Sequence, residues 1–225
     1  ADRGSTDAAF THFLPTSMNA QLRDRLVRDF VPGDVIRPVF CDVDLVETAC
    51  IDTPDAEAYL REAGHKGWQI TQVWNTHWHP DHAGGNAAIK AASGCTVTGP
   101  AEVERIAPPD RIVAHGDTLM LGAYAVQVID VSGHTNGHVA YYLPDAAIAF
   151  VGDAVFALGC GRMFEGQPDQ FWASLTRIKA LPPATLLYCA HEYTQSNARF
   201  ALHADPDNAE LQNYVARIER TLRRC

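Results

Sequence analysis

The chain has 225 residues, 47% of them hydrophobic and 20% charged, enough to bury a sizeable core and unlike fibrous or disordered composition. A net charge of -9 argues against a nucleic-acid partner, because phosphate binding needs a concentrated basic surface; the basic run 217–224 is interrupted by Glu219 and reads as a solvated helix face. No run approaches the roughly 18 apolar residues of a membrane span, and the six cysteines form no C-x-x-C pair, which points to a reducing, cytoplasmic setting or to a leader already removed.

From the N-terminus, residues 19–30 have the charged, amphipathic pattern of a helix, and Val31-Pro32-Gly33-Asp34 forms its exit turn. Residues 69–75 (QITQVWN) are apolar, β-branched and aromatic, and predict a strand that ends at Thr76. The sequence Thr76-His77-Trp78-His79-Pro80-Asp81-His82 begins there. Gly84-Gly85 then leads into a helix over 86–92, closed by Ser93-Gly94, and a strand over 96–98. Strands follow at 118–121, 124–131, 139–143 and 147–151, separated by Gly122, Ser132-Gly133, Asn136-Gly137 and Pro144-Asp145, as in an antiparallel sheet. Phe171, Leu175 and Ile178 repeat at helical spacing over 170–181 until Pro182-Pro183, ahead of a strand at 186–189 and helices near 194–203 and 209–224. This order predicts a single unit with sheets in the middle and helices outside. Trp68, Trp74 and Trp172 are expected in the core, whereas Trp78 lies between two candidate ligands and is expected to wall the site.

Seven side chains are candidate metal ligands: His77, His79, Asp81, His82, His134, Asp153 and His191. In an extended segment His77, His79 and Asp81 share one side while His82 points elsewhere. That geometry can serve two ions. Imidazole with carboxylate suits zinc, and also iron or manganese. His134, Asp153 and His191 each follow a predicted strand, so loops at one sheet edge can bring them together. His138, four residues after His134, is a candidate for supporting a ligand from behind. Cys160 and Cys189 have no neighbouring base in sequence and are expected to be buried structural thiols.

The T-H-x-H-x-D-H motif, followed by Gly133-His134-Thr135-Asn136-Gly137-His138, Gly152-Asp153-Ala154 and Cys189-Ala190-His191-Glu192-Tyr193, resembles the metallo-β-lactamase superfamily. Within it, Gly159-Cys160-Gly161-Arg162-Met163-Phe164-Glu165-Gly166 and His191-Glu192-Tyr193-Thr194 are similar to glyoxalase II, the hydroxyacylglutathione hydrolases. The resemblance runs over about 51–208. It implies an α/β fold, an αββα sandwich of two mixed sheets flanked by helices. It also implies that His77, His79 and His134 hold one divalent ion, that Asp81, His82 and His191 hold the other, and that Asp153 bridges them. The implied reaction is hydrolysis of S-D-lactoylglutathione to D-lactate and glutathione by a hydroxide bridging the metals, with Asp81 or Asp153 orienting it. Arg162, Phe164 and Tyr193 match substrate-contacting positions, Phe164 standing where many relatives carry tyrosine.

Two stretches depart from the pattern. Residues 1–50 do not resemble the family's opening, so the first sheet is expected to be edged differently, ahead of a catalytic core at 51–208. The helix at 209–225 is short beside the family tail, which implies a more open thiol-binding pocket. The chief alternative is a persulfide dioxygenase of the same fold, using a single iron. A β-lactamase is weaker, because Asp153 stands where many such enzymes place cysteine.

Overall fold

A computed structural model describes residues 39–42 and 47–222, and within them two five-stranded sheets pack against each other. The first sheet runs in chain order through β1 (Val39–Asp42), β2 (Glu47–Ile51), β3 (Ile70–Trp74), β4 (Thr96–Gly99) and β5 (Arg111–Ile112). Its β1 and β2 are antiparallel and the remaining pairs parallel. The second sheet contains β6 (Thr118–Leu121), β7 (Tyr124–Asp130), β8 (Val139–Leu143), β9 (Ile148–Gly152) and β12 (Leu186–Cys189), in the spatial order β12-β9-β8-β7-β6. Only β12, beside β9, is parallel to its neighbour. A small hairpin, β10 (Val155–Phe156) with β11 (Gly159–Cys160), leaves the end of β9.

Period-two alternation explains how each strand serves two layers. Val139, Tyr141 and Leu143 of β8, with Ile148 and Phe150 of β9, face Ile51 and Trp74 across the sandwich. The intervening Ala140, Tyr142, Ala149 and Val151 face outward onto Phe171 and Ile178 of α4 (Pro168–Lys179). Both faces are covered, which is why β8 and β9 read as continuous apolar runs rather than as alternating ones. On the far side of the first sheet, Cys50, Val73 and Val97 pack against Tyr59 and Ala63 of α1 (Ala56–Lys66) and Ile89 of α3 (Asn86–Ser93). The layers are therefore helix, sheet, sheet, helix. A single turn, α2 (Pro80–Ala83), and two later helices, α5 (Thr194–Ala204) and α6 (Ala209–Leu222), complete the set.

The strands at 118–121, 139–143 and 186–189 fall where the sequence places them. The pattern did not reveal α1, although its signals are present: Asp55 accepts from the Ala58 N–H at the start, and Gly67 ends the helix at φ 69°. Trp74 is fully buried, but Trp172 is 72% exposed on the outer side of α4, which corrects its expected place in the core. The helix predicted over 19–30 lies outside the described residues. β2 crosses residue 50, so the end of the unusual N-terminal stretch is a strand of the first sheet. No helix among the described residues is long and apolar enough to cross a membrane.

Candidate metal centre

Every candidate ligand lies just beyond a strand of one sheet or the other. His77, His79, Asp81 and His82 follow β3, His134 follows β7, Asp153 follows β9 and His191 follows β12. The loops converge at one edge of the sandwich, where Val139 N–H donates to Thr76 O at 2.9 Å and Tyr141 Oη to Asn75 O at 2.7 Å, tying the two sheets together. His77, His82, His134, Asp153 and His191 are buried; His79 is partly exposed and Asp81 exposed.

Their donor atoms form overlapping groups. His77, His79 and His134 make one, Asp81, His82 and His191 another, and Asp153 joins His77 and His82 in a third, with all donor atoms of a group within 4.8 Å of one another. Asp153 faces both sides: Oδ2 is 3.5 Å from His134 Nε2, while Oδ1 is 3.3 Å from His82 Nε2 and 3.5 Å from His191 Nε2. Asp81 Oδ2 lies 3.5 Å from His191 Nε2.

The surrounding hydrogen bonds fix which nitrogens face inward. His82 Nδ1 donates to Asp52 Oδ2 at 2.8 Å, leaving Nε2 toward the cluster. Thr76 Oγ1 donates to the same carboxylate at 2.9 Å, so His77 Nδ1, 3.0 Å from that hydroxyl, is the donor to it. His134 Nδ1 donates to the Arg162 carbonyl at 2.8 Å. With those protons assigned, His77 Nε2 and His134 Nε2 are both acceptors, yet both lie 3.0 Å from the single His79 Nδ1. One nitrogen cannot donate to two acceptors with one proton. A cation shared among the three resolves the mismatch.

Two further orphans make the same case. His82 Nε2 and Asp153 Oδ1 are buried without a hydrogen-bond partner, an arrangement that costs free energy unless something fills it. Burial and the neighbouring imidazoles hold His77 well below the ordinary histidine range, and burial lowers His79 and His134 too, so all three offer neutral lone pairs. Burial disfavours charge on His82 as well, but Asp52 and Asp153 outweigh it and push the imidazole up to about 10. His191 is lifted to about 9, against burial, by Asp153 and Asp81. A cation beside these carboxylates would take over the role of those protons. The residues present thus fit divalent metal, with nitrogen and oxygen donors and no thiolate.

His138 supports the centre without facing it. Its Nε2 accepts the Asp153 N–H at 3.1 Å, its ring stacks on His77 with centroids 4.7 Å apart, and burial lowers it to about 3, which keeps the accepting nitrogen free. Asp52, at φ 54° in the left-handed region that aspartate tolerates, holds His82 directly and His77 through the Thr76 hydroxyl, a role that nothing in the sequence pattern signals. Glycines let the loops close. A Cβ on Gly152, at φ 49°, would lie 2.5 Å from Thr76 Oγ1, and one on Gly161 would lie 1.9 Å from the Asp153 carbonyl.

The expected substrate-contacting residues stand at the rim. Phe164 is 61% exposed, its ring centre 5.2 Å from that of His134 and 5.7 Å from that of His79. Tyr193 stacks on His191 at 5.2 Å. The Arg162 side chain is exposed, and Glu165, a possible ionic partner for it, pairs instead with Arg105 at 2.6 Å. Trp78 stands beside His79 and donates to Glu165, as a wall of the site. Cys160 is exposed rather than buried, because it ends the short β11 at the surface; desolvation pushes its thiol up, and desolvation pushes the thiol of Cys189 up to about 11. Neither is an activated nucleophile.

Comparison with known proteins agrees with this geometry. The profile of the Metallo-beta-lactamase superfamily matches residues 42–191, and that of the Hydroxyacylglutathione hydrolase C-terminus matches residues 192–224. The hydroxyacylglutathione hydrolase of Erythrobacter litoralis is 66% identical over 177 residues, which are 79% of this chain and 70% of that protein. Among solved structures, ETHE1 from Myxococcus xanthus superimposes with a TM-score of 0.66 at 30% identity, over 75% of this chain and 76% of that one. TTHA1623 in a di-iron-bound form gives a TM-score of 0.63 at 26% identity, over 74% and 91%. By fold, motif and sequence, the chain belongs to the hydroxyacylglutathione hydrolases of the metallo-β-lactamase superfamily.

Proposed function

We propose that this chain hydrolyses the thioester of S-D-lactoylglutathione to D-lactate and glutathione, with two divalent ions, zinc foremost, held by the cluster. The observation that carries the reading is Asp153, which turns one carboxylate oxygen to each of two donor groups. His77, His79 and His134 would hold one ion and Asp81, His82 and His191 the other, with Asp153 between them. The relative solved in a di-iron-bound form supports a pair of ions. Bound metal supplies a water whose pKa falls from 15.7 toward ~7 and a positive charge for the carbonyl oxygen.

The protein's own groups do the rest. Asp52 and the Arg162 carbonyl keep protons on His82 Nδ1 and His134 Nδ1, so each Nε2 presents its lone pair inward. Asp81, exposed at the mouth, or Asp153 would orient the attacking water, and His138 holds the Asp153 backbone in register. A thiolate leaves without needing a proton, so no general acid has to face the sulfur. Phe164 and Tyr193 wall the mouth, and Arg162 offers an exposed guanidinium to the carboxylates of glutathione. Such a cation offsets the repulsion that a net charge of -9 exerts on an anionic substrate. Cys50 and Cys95, buried free thiols, fit the cytoplasmic setting we assign.

The single-iron dioxygenase is set aside, since the Erythrobacter litoralis relative carries the hydrolase name and a second donor group adjoins the first. The test is thiol release from S-D-lactoylglutathione with dissolved oxygen monitored in parallel. Cleavage without oxygen uptake is expected, and Asp153→Ala is expected to lower it by more than about 100-fold, through loss of metal and of water placement together. Oxygen uptake on glutathione persulfide, with no thioester cleavage, would overturn the proposal.

A further inference from the structure

Three successive residues after His134 each give a hydrogen to a carboxylate from outside their loop. Thr135 Oγ1 donates to Glu102 Oε1 at 2.5 Å, Asn136 N–H to Glu165 Oε2 at 3.0 Å, and Gly137 N–H to Glu102 Oε2 at 2.7 Å. Glu102 comes from the 3-10 turn Ala101–Arg105, and its carboxylate lies so close to Gly137 that a Cβ there would meet it at 2.8 Å and have to push it aside. Glu165 does more than hold Asn136. Its Oε1 accepts from Trp78 Nε1 at 3.2 Å and from Arg105 Nη1 at 2.6 Å, and the Arg105 guanidinium lies 4.7 Å from the Trp78 ring centre.

One carboxylate therefore joins the turn at residue 105, the loop at residue 136, and Trp78, which stands between His77 and His79. The segment carrying Glu165 lies directly on His134. Phe164 N–H donates to His134 O at 3.2 Å, Gly166 N–H to Gly133 O at 3.1 Å, and the Arg162 carbonyl accepts from His134 Nδ1. The other donor group is held differently among the described residues: His82 contacts Asp52 and Asp153, and His191 contacts Asp153 and Asp81.

We propose that Glu165 is a positioning residue that holds His77, His79 and His134 in register as one donor group, by fastening Trp78 and Asn136 to a single carboxylate. The inference rests on the two-ion reading for its metal readout, though the hydrogen-bond clamp itself needs no ion. Both oxygens accept and reach different loops, so charge and length both matter: glutamine keeps one acceptor and sets an NH2 donor against the other loop's N–H, and aspartate withdraws both acceptors by a methylene.

The experiment uses the full chain with Glu165→Ala, Glu165→Gln and Glu165→Asp. Zinc alone is titrated against a competing chelator, and amide hydrogen exchange is followed in the metal-free protein. With Glu165→Ala, one of two zinc affinities is expected to fall about tenfold or more, the other remaining within about threefold, as for loss of a group that orients ligands. The amides of Asn136, Phe164 and Gly166 are expected to exchange roughly tenfold faster, reporting local opening. Glu165→Gln, which keeps only one of the two acceptors, should recover only part of either effect, and Glu165→Asp little. If Glu165→Ala leaves exchange and both affinities unchanged, or weakens both affinities equally as the thermal midpoint falls, the positioning role is overturned. A parent chain that binds fewer than two zinc ions while exchange responds as described would refute the two-ion reading and leave the clamp standing.

Discussion

Asp52 shows how a candidate ligand set depends on residues outside it. Its carboxylate takes the Thr76 N–H and hydroxyl and the His82 Nδ1 proton, all buried. Asp52→Ala would strand those donors away from water, so unfolding in urea is expected to show a loss of about 2–4 kcal/mol. Zinc affinity should fall with it, since His82 would no longer be held to one tautomer. An unaltered midpoint in the urea melt would contradict this assignment. The candidate ligands were legible because histidine and aspartate are chemically distinctive and fall where strands end. Asp52 was not, because its work is done 24 and 30 residues away, and Glu102 reaches Thr135 from 33 residues away. Contacts of that kind leave no trace in spacing. Trp172 misled for a related reason: it sits inside an amphipathic helix but one position off the face that α4 buries.

Among the elements, the strands of the second sheet were the easiest to read, since glycine, asparagine and proline mark nearly every turn between them. α1 was harder to recognise because its buried face is alanine and one tyrosine, a weak apolar signal amid charged neighbours. The loop from β11 into α4 matters most for chemistry. There Gly161 passes so close to the Asp153 carbonyl that any side chain must displace one of them. Gly161→Ala is expected to destabilise the fold by about 1–3 kcal/mol, as overpacking does. It should also cut thioester cleavage more than the stability loss explains, because the same loop gives His134 its Arg162 carbonyl. Comparing kcat/KM with the denaturation midpoint separates the two effects. Normal turnover in a folded variant would show that the loop has room to move.

Across the whole molecule, the donor groups draw on both sheets: β3 supplies four candidate ligands from the first, and β7, β9 and β12 supply the others from the second. Val139 and Tyr141 already bond across that seam. An ion shared by His77 and His134 would therefore add a rivet between two layers that those hydrogen bonds and hydrophobic contact otherwise hold together at this edge. Stripping the protein with a chelator is expected to lower its thermal midpoint, and zinc is expected to restore it. The kinetic consequence is more specific. Ligands so far apart in sequence come together only after the sheets have docked, so the ions have little to grip at the barrier to folding. In denaturant-jump experiments, zinc should slow unfolding by roughly tenfold or more while leaving the refolding rate nearly unchanged. A centre of this design would set how long the native state lasts rather than how quickly it is reached.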